Sequence, residues 1–274
     1  MPENVPAAVP DSGANFFVAA NGIRFHCRVD GRKDAPWLVF SNSLATNLSL
    51  WDGQIAAFEN SFHILRYDQR GHGSTGVPSE ACTFEQLVDD VVAIFDALGI
   101  RRASFVGVSM GAITGLRLAA RYPGRVDRLL ASDGQWVSAP GATEMWEERI
   151  AVVQKQGMQG LVEPTVGRWF APATMANNPP SMEHARRMIA GTPAAGYIAC
   201  ARALEAYDYR RSLPEISAPT LLTAGAADGI TPQVMREMHQ AMPGSQFIEI
   251  PDAGHLPNLE NPEVFNRAMA KFLA

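Results

Sequence analysis

The chain has 274 residues, 47% of them hydrophobic and 19% charged, enough to bury a sizeable core as one large α/β domain carrying an insertion. Its formal net charge of −5 argues against nucleic acid or an anionic membrane as partner, and no apolar run in the sequence approaches membrane-spanning length. Three scattered cysteines, Cys27, Cys82 and Cys200, lack C-x-x-C spacing and read as reduced structural thiols; with no secretory signal at Met1-Pro2-Glu3, the expected compartment is the cytoplasm.

Residues 1–14, with three prolines, predict a loose tail. Phe16–Ala19 and Ile23–Val29 flank Asn21-Gly22, the signal for a hairpin of two antiparallel strands. Trp37–Phe40 and Phe62–Tyr67 are short continuous apolar runs, as expected of strands buried on both faces, and a helical pattern over Leu50–Phe58 lies between them. Thr83 should cap a helix whose apolar residues recur from Phe84 to Leu98, with Gly99 as its stop. A strand at Ala103–Val108 then meets Gly107-Val108-Ser109-Met110-Gly111 and a helix running to Arg121. Val126–Ser132 is a further strand, ending at Asp133-Gly134.

From residue 135 to 212 the strand rhythm disappears, and tryptophans and methionines sit among helix-like, proline-broken pieces. This stretch is expected to be a helical cap insertion. Thr220–Gly225 restores a strand, followed by a helix at Pro232–Ala241, a strand at Gln246–Ile250 and a closing helix at Pro262–Leu273. The alternation predicts an α/β fold with a mostly parallel central sheet flanked by helices, built from residues 15–134 and 213–274. In such sheets chemistry gathers on the loops that follow strands.

Ser109 is the candidate nucleophile, because glycines two positions either side relieve the collisions of a sharp strand-to-helix turn. A serine hydroxyl needs a base, and the base needs an acid to fix its tautomer. His255 stands out among six histidines because it follows the last strand, in Pro251-Asp252-Ala253-Gly254-His255. Asp228 is the first choice of acid, since it gives the order Ser, Asp, His and places the insertion between serine and aspartate; Asp133 gives the same order and stays an alternative. His72 and Asp68 read as supports of their own loop. The N–H groups of Leu44 and Met110 are the expected oxyanion donors, and Ser43 beside Leu44 is a candidate for orienting the loop or touching substrate.

Three sequence features go further. Ser41-Asn42-Ser43-Leu44-Ala45-Thr46-Asn47 with Leu50-Trp51-Asp52, and Tyr67-Asp68-Gln69-Arg70-Gly71-His72-Gly73-Ser74, are joined in the insertion by Arg168-Trp169-Phe170. Over nearly its whole length the chain resembles an α/β-hydrolase, and in these stretches it is similar to the 3-oxoadipate enol-lactonases. Ala45 departs from an expected glycine, and Asp133-Gly134-Gln135-Trp136 departs from the small-residue stretch usual there. The resemblance implies a serine mechanism without metal or organic cofactor, acting on a small anionic lactone in bacterial breakdown of protocatechuate or catechol. Arg168 is the first candidate to hold the substrate carboxylate, and Trp136 and Trp146 are candidates to line the pocket. A carboxylesterase or carbon–carbon bond hydrolase would use the same triad, and a non-catalytic binding protein is the alternative of another class. The sequence leaves a homo-oligomer open.

Overall fold

The computed structural model describes residues 9–274; residues 1–8, most of the predicted tail, lie outside the described residues. Strands β1 (Asn15–Ala20) and β2 (Ile23–Gly31) pair antiparallel through Asn21-Gly22, whose φ values of 43° and 75° meet the requirement of a type I′ turn for two positive dihedrals. The chain is fastened before β1 begins, since the Gly13 N–H donates to the Val29 carbonyl at 2.8 Å.

Six further strands follow: β3 (Trp37–Ser41), β4 (His63–Tyr67), β5 (Ala103–Val108), β6 (Val126–Ser132), β7 (Thr220–Gly225) and β8 (Gln246–Ile250). The spatial order is β1-β2-β4-β3-β5-β6-β7-β8; β2 pairs antiparallel with β4, and every pair from β4 to β8 is parallel. Successive strand residues point to opposite faces, so each central strand feeds two cores. Leu38, Phe40, Ile64 and Val106 enter one cluster with Trp51 and Phe265, whereas Val39, Leu65 and Phe105 enter the other with Phe95, Leu116 and Met235. Continuous apolar runs were the sequence sign of this two-sided burial.

The helices α1 (Asp52–Phe58), α2 (Phe84–Leu98) and α3 (Met110–Arg121) connect the first parallel strands. Helix α2 begins where predicted: the Thr83 side chain accepts from the Gln86 N–H, and Gly99 ends the helix in the left-handed conformation. Between β6 and β7 the ordered elements are mainly helices, α4 (Ala142–Gln156), α5 (Val162–Trp169), α6 (Pro172–Asn177), α7 (Pro180–Gly191) and α8 (Ala194–Ala201), with an isolated antiparallel bridge between Val137 and Asp208. Helices α9 (Thr231–Ala241), α10 (Pro257–Glu260) and α11 (Pro262–Leu273) complete the fold. Among the described residues, no helix is long and apolar enough to cross a membrane.

Candidate active site

Ser109 sits between β5 and α3 at φ 55° and ψ −118°, a backbone conformation that costs energy for a residue with a side chain. The surroundings impose it: the Ser109 N–H donates to the Ser132 carbonyl of β6 at 2.8 Å. Glycine is required on both sides, because a Cβ on Gly107 would fall on the backbone of Gly111, and one on Gly111 would fall on the backbone of Ser41. Met110 opens α3, so its amide lacks an intrahelical acceptor and lies at the positive end of the helix dipole.

His255 and Asp228 come from the loops after β8 and β7, and His255 Nδ1 lies 2.8 Å from Asp228 Oδ2. The histidine loop is fixed from two directions. Its own N–H donates to the Trp169 carbonyl at 2.6 Å, and the Glu260 carboxylate accepts from the N–H groups of Gly254 (2.5 Å) and Ala171 (2.9 Å). Trp169 also stacks near the imidazole, with ring centroids 6.1 Å apart.

Asp133 Oδ1 instead accepts from the Gly225 N–H at 2.8 Å, and its Oδ2 accepts from the Ser132 hydroxyl at 2.6 Å. The hydrogen bond to the imidazole therefore belongs to Asp228. Burial drives the Asp133 carboxyl well above the usual carboxylate range, and the nearby Asp228 charge adds to the rise. Burial acts the same way on Asp228, but His255, Thr231 and Asp133 more than offset it and hold Asp228 below its ordinary value. Potential ligand atoms of Asp133, Asp228 and His255 lie within 4.8 Å of one another, and a metal there would have to displace these hydrogen bonds.

The loop after β3 faces Ser109 across a cavity of about 410 Å³, a size suited to a small organic ligand. Ser43 and Leu44 line it together with Ser109, Asp228, His255 and Arg168. The loop is held by buried partners: Asn42 donates to the Tyr67 carbonyl (2.7 Å) and accepts from the Trp51 indole (3.0 Å). Ala45, at φ 61°, donates its N–H to His72 Nε2 at 3.0 Å, while His72 Nδ1 faces the Arg70 carbonyl at 3.0 Å. These contacts require the neutral tautomer with its proton on Nδ1, and burial lowers the His72 pKa in agreement. His72 thus supports the loop that carries Leu44. Asp68 likewise accepts from the Leu48 and Ser74 N–H groups (2.7 and 2.9 Å). The Leu44 amide has no backbone partner among the described residues, and the buried Ser43 hydroxyl has no partner at all among them.

Trp136 lies away from the cavity, which corrects its expected place in the lining: its half-buried ring packs against the second core cluster, and its carbonyl accepts the Tyr209 N–H at 2.7 Å. The tryptophans facing the cavity are Trp146 and Trp169. Arg168 does face it, from the end of α5, joined by Arg149 of α4 and Tyr197 of α8. Arg149 stacks over the Trp146 ring at 4.6 Å. Neither guanidinium forms an ion pair among the described residues, although the chain has 28 acidic side chains for 23 basic ones. Arg168 is exposed to the cavity, and the protein atoms around it, with Arg149 as second cause, lower its pKa to about 10. Arg149 and Tyr197 were missed in the sequence. The available signal was a charged residue three positions after Trp146, on the face of α4 that also turns Ile150 and Val153 inward.

Residues 36–262 match the α/β-hydrolase fold family. Two enol-lactonases of Acinetobacter baylyi are similar over most of both chains: 3-oxoadipate enol-lactonase 2 is 34% identical, covering 92% of this chain and 94% of its own. 3-Oxoadipate enol-lactonase 1 is 36% identical, covering 90% and 91%. The crystal structure of the enol-lactonase from Burkholderia xenovorans LB400 superposes with a TM-score of 0.89 at 38% identity, covering 94% of this chain and 99% of that one. A strained serine at a glycine-flanked elbow, a parallel sheet and these relatives agree, and the chain belongs to the α/β-hydrolase fold family as a hydrolase of ester bonds.

Proposed function

We propose that the protein opens a small anionic enol-lactone, with 3-oxoadipate enol-lactone as the first candidate, through an acyl-enzyme on Ser109. The observation that carries this reading is the lining of one cavity: a strained serine and an aspartate-paired histidine, together with two cations that have no ion-pair partner among the described residues. His255 takes the Ser109 proton as the hydroxyl attacks the lactone carbonyl, and Asp228 fixes the imidazole tautomer and stabilises its charge. The amides of Leu44 and Met110 receive the oxyanion, with the Ser43 hydroxyl as a further donor at the same loop. The acyl C–O bond of the ring breaks, and the enol leaving group becomes a ketone on protonation. Water activated by His255 then attacks the acyl-enzyme and releases the diacid.

Arg168, supported by Arg149 and Tyr197, holds the carboxylate that the substrate carries before the ring opens. Its pKa of about 10 keeps it charged at neutral pH. The names of the relatives support the same substrate class. The test follows enol-lactone consumption by absorbance beside an uncharged aryl acetate. Faster turnover of the lactone, with a preference that collapses in Arg168→Ala, is expected. Cleavage of the aryl ester alone would keep the triad and replace the lactonase reading by a carboxylesterase; no turnover of either would leave a binding protein.

A further inference from the structure

Asp133 takes no part in the steps above, yet the residue is 2% exposed and its backbone is held at φ 51° between the β6 end and the acid loop. Its carboxyl is anchored by the Gly225 N–H and the Ser132 hydroxyl, and one of its oxygens lies within 4.8 Å of an Asp228 oxygen. Two carboxylates this close do not both carry charge at low cost, so the pair retains a proton on one member. The surroundings decide which. Asp228 faces the His255 imidazole and the Thr231 hydroxyl, with Arg168 near enough in the same cavity to act on it by charge and Glu260 of α10 adding a negative charge. Asp133 faces Asp228, and no Lys or Arg pairs with it among the described residues.

We propose that Asp133 is a positioning residue: as a carboxylic acid it donates a hydrogen bond to Asp228, holds that carboxylate against His255, and takes over as the imidazole's partner when Asp228 is made neutral. The sequence departure at Asp133-Gly134 thereby acquires a role. An acid–carboxylate–imidazole chain keeps Asp228 ionised despite its burial, and the donated hydrogen bond moderates its pull on the imidazole.

The first measurement needs no turnover. The infrared spectrum at neutral pH should contain the carbonyl stretch of a buried protonated carboxyl, and Asp133→Asn should remove it; a wild-type spectrum without that band overturns the proposal. The second uses an aryl acetate, and it rests on the Asp228–His255 pair acting in hydrolysis as proposed above. Asp133→Asn keeps an N–H donor and should stay within about threefold of wild type in kcat/KM, whereas Asp133→Ala should lose roughly tenfold or more. In Asp133→Ala the acid limb of the profile should also move to higher pH, because Asp228 becomes more basic and holds the imidazolium more strongly. In an Asp228→Asn background, adding Asp133→Asn should cost a further factor of roughly ten. Equal losses in Asn and Ala, or no added loss in the Asp228→Asn background, overturn the proposal; if the Ala variant fails to fold, the Asn series still decides. If no ester or lactone is cleaved, the hydrolytic reading fails while the infrared result still stands or falls by itself.

Discussion

The edge of the sheet and the helical insertion meet at one cavity, but their polar groups are held in opposite ways. At the sheet edge, the key groups are anchored by the fold: Ser109 by its strained elbow, His255 by Asp228 and the Trp169 carbonyl, Ala45 by His72. On the insertion side, Arg149 and Arg168 present charge to the cavity without an ion-pair partner among the described residues. On the proposed function, groups preorganised by the chain serve the reaction, which must find donors already in place, and groups left unpaired serve the ligand, which supplies the missing charge. Two carboxylate contacts of Glu260, from the Gly254 and Ala171 N–H groups, tie the His255 loop to the end of the Arg168 helix.

This contrast can be broken from either side. The largest effect is expected for Ser109→Ala, which should lower kcat by a factor on the order of 10⁵ while circular dichroism stays unchanged. Retained hydrolysis of enol-lactone and aryl ester would place the nucleophile elsewhere. Asp228→Asn should lower kcat by a factor on the order of 10⁴, with the residual rate resting on Asp133. On the insertion side, Arg168→Ala should raise KM for an anionic substrate roughly ten- to a hundredfold and leave aryl acetate hydrolysis nearly unchanged. An equal loss on both substrates would mean that the arginine supports the structure rather than the ligand. Arg149→Ala should act in the same direction and more weakly, because Arg149 also packs on Trp146.

The smallest effect concerns pH and the loop that carries Leu44. Because the folded pKa of His72 is depressed below 6.5, the folded chain binds fewer protons there than the unfolded chain. The contribution of His72 to stability is therefore fully present above about pH 6.5 and is lost as pH falls through the depressed value. Denaturation by urea, compared between wild type and His72→Phe, should show a loss of about 1–3 kcal/mol at neutral pH from the orphaned Ala45 N–H. That gap should narrow in acid; a gap independent of pH would assign the effect to packing alone.

Much of the core was legible because its signals are local. Continuous apolar runs marked β3 and β4 as strands buried on both faces, Thr83 and Gly99 bounded α2, and Asn21-Gly22 placed the hairpin. The glycines around Ser109 were readable for the same reason: the collisions they prevent involve backbone a few residues away and one neighbouring strand. Sequence was less informative about the insertion, where short helices lack a periodic sheet to pack against and side-chain direction depends on how each helix is seated. Trp136 and Arg149 illustrate this: the tryptophan expected in the cavity turned to the core, and an arginine with no motif turned to the cavity.

By itself, then, the order of residues determined the α/β alternation, the elbow at Ser109 and the short set of acids and histidines at strand ends, since each depends on neighbours in the chain or on strand period. Only the tertiary structure decided that Asp228 rather than Asp133 bonds His255, that His72 holds the Ala45 amide, and that Arg149 joins Arg168. Those facts depend on distances between loops far apart in sequence, and such distances are fixed by the packing of the sheet and the insertion, which no local pattern encodes.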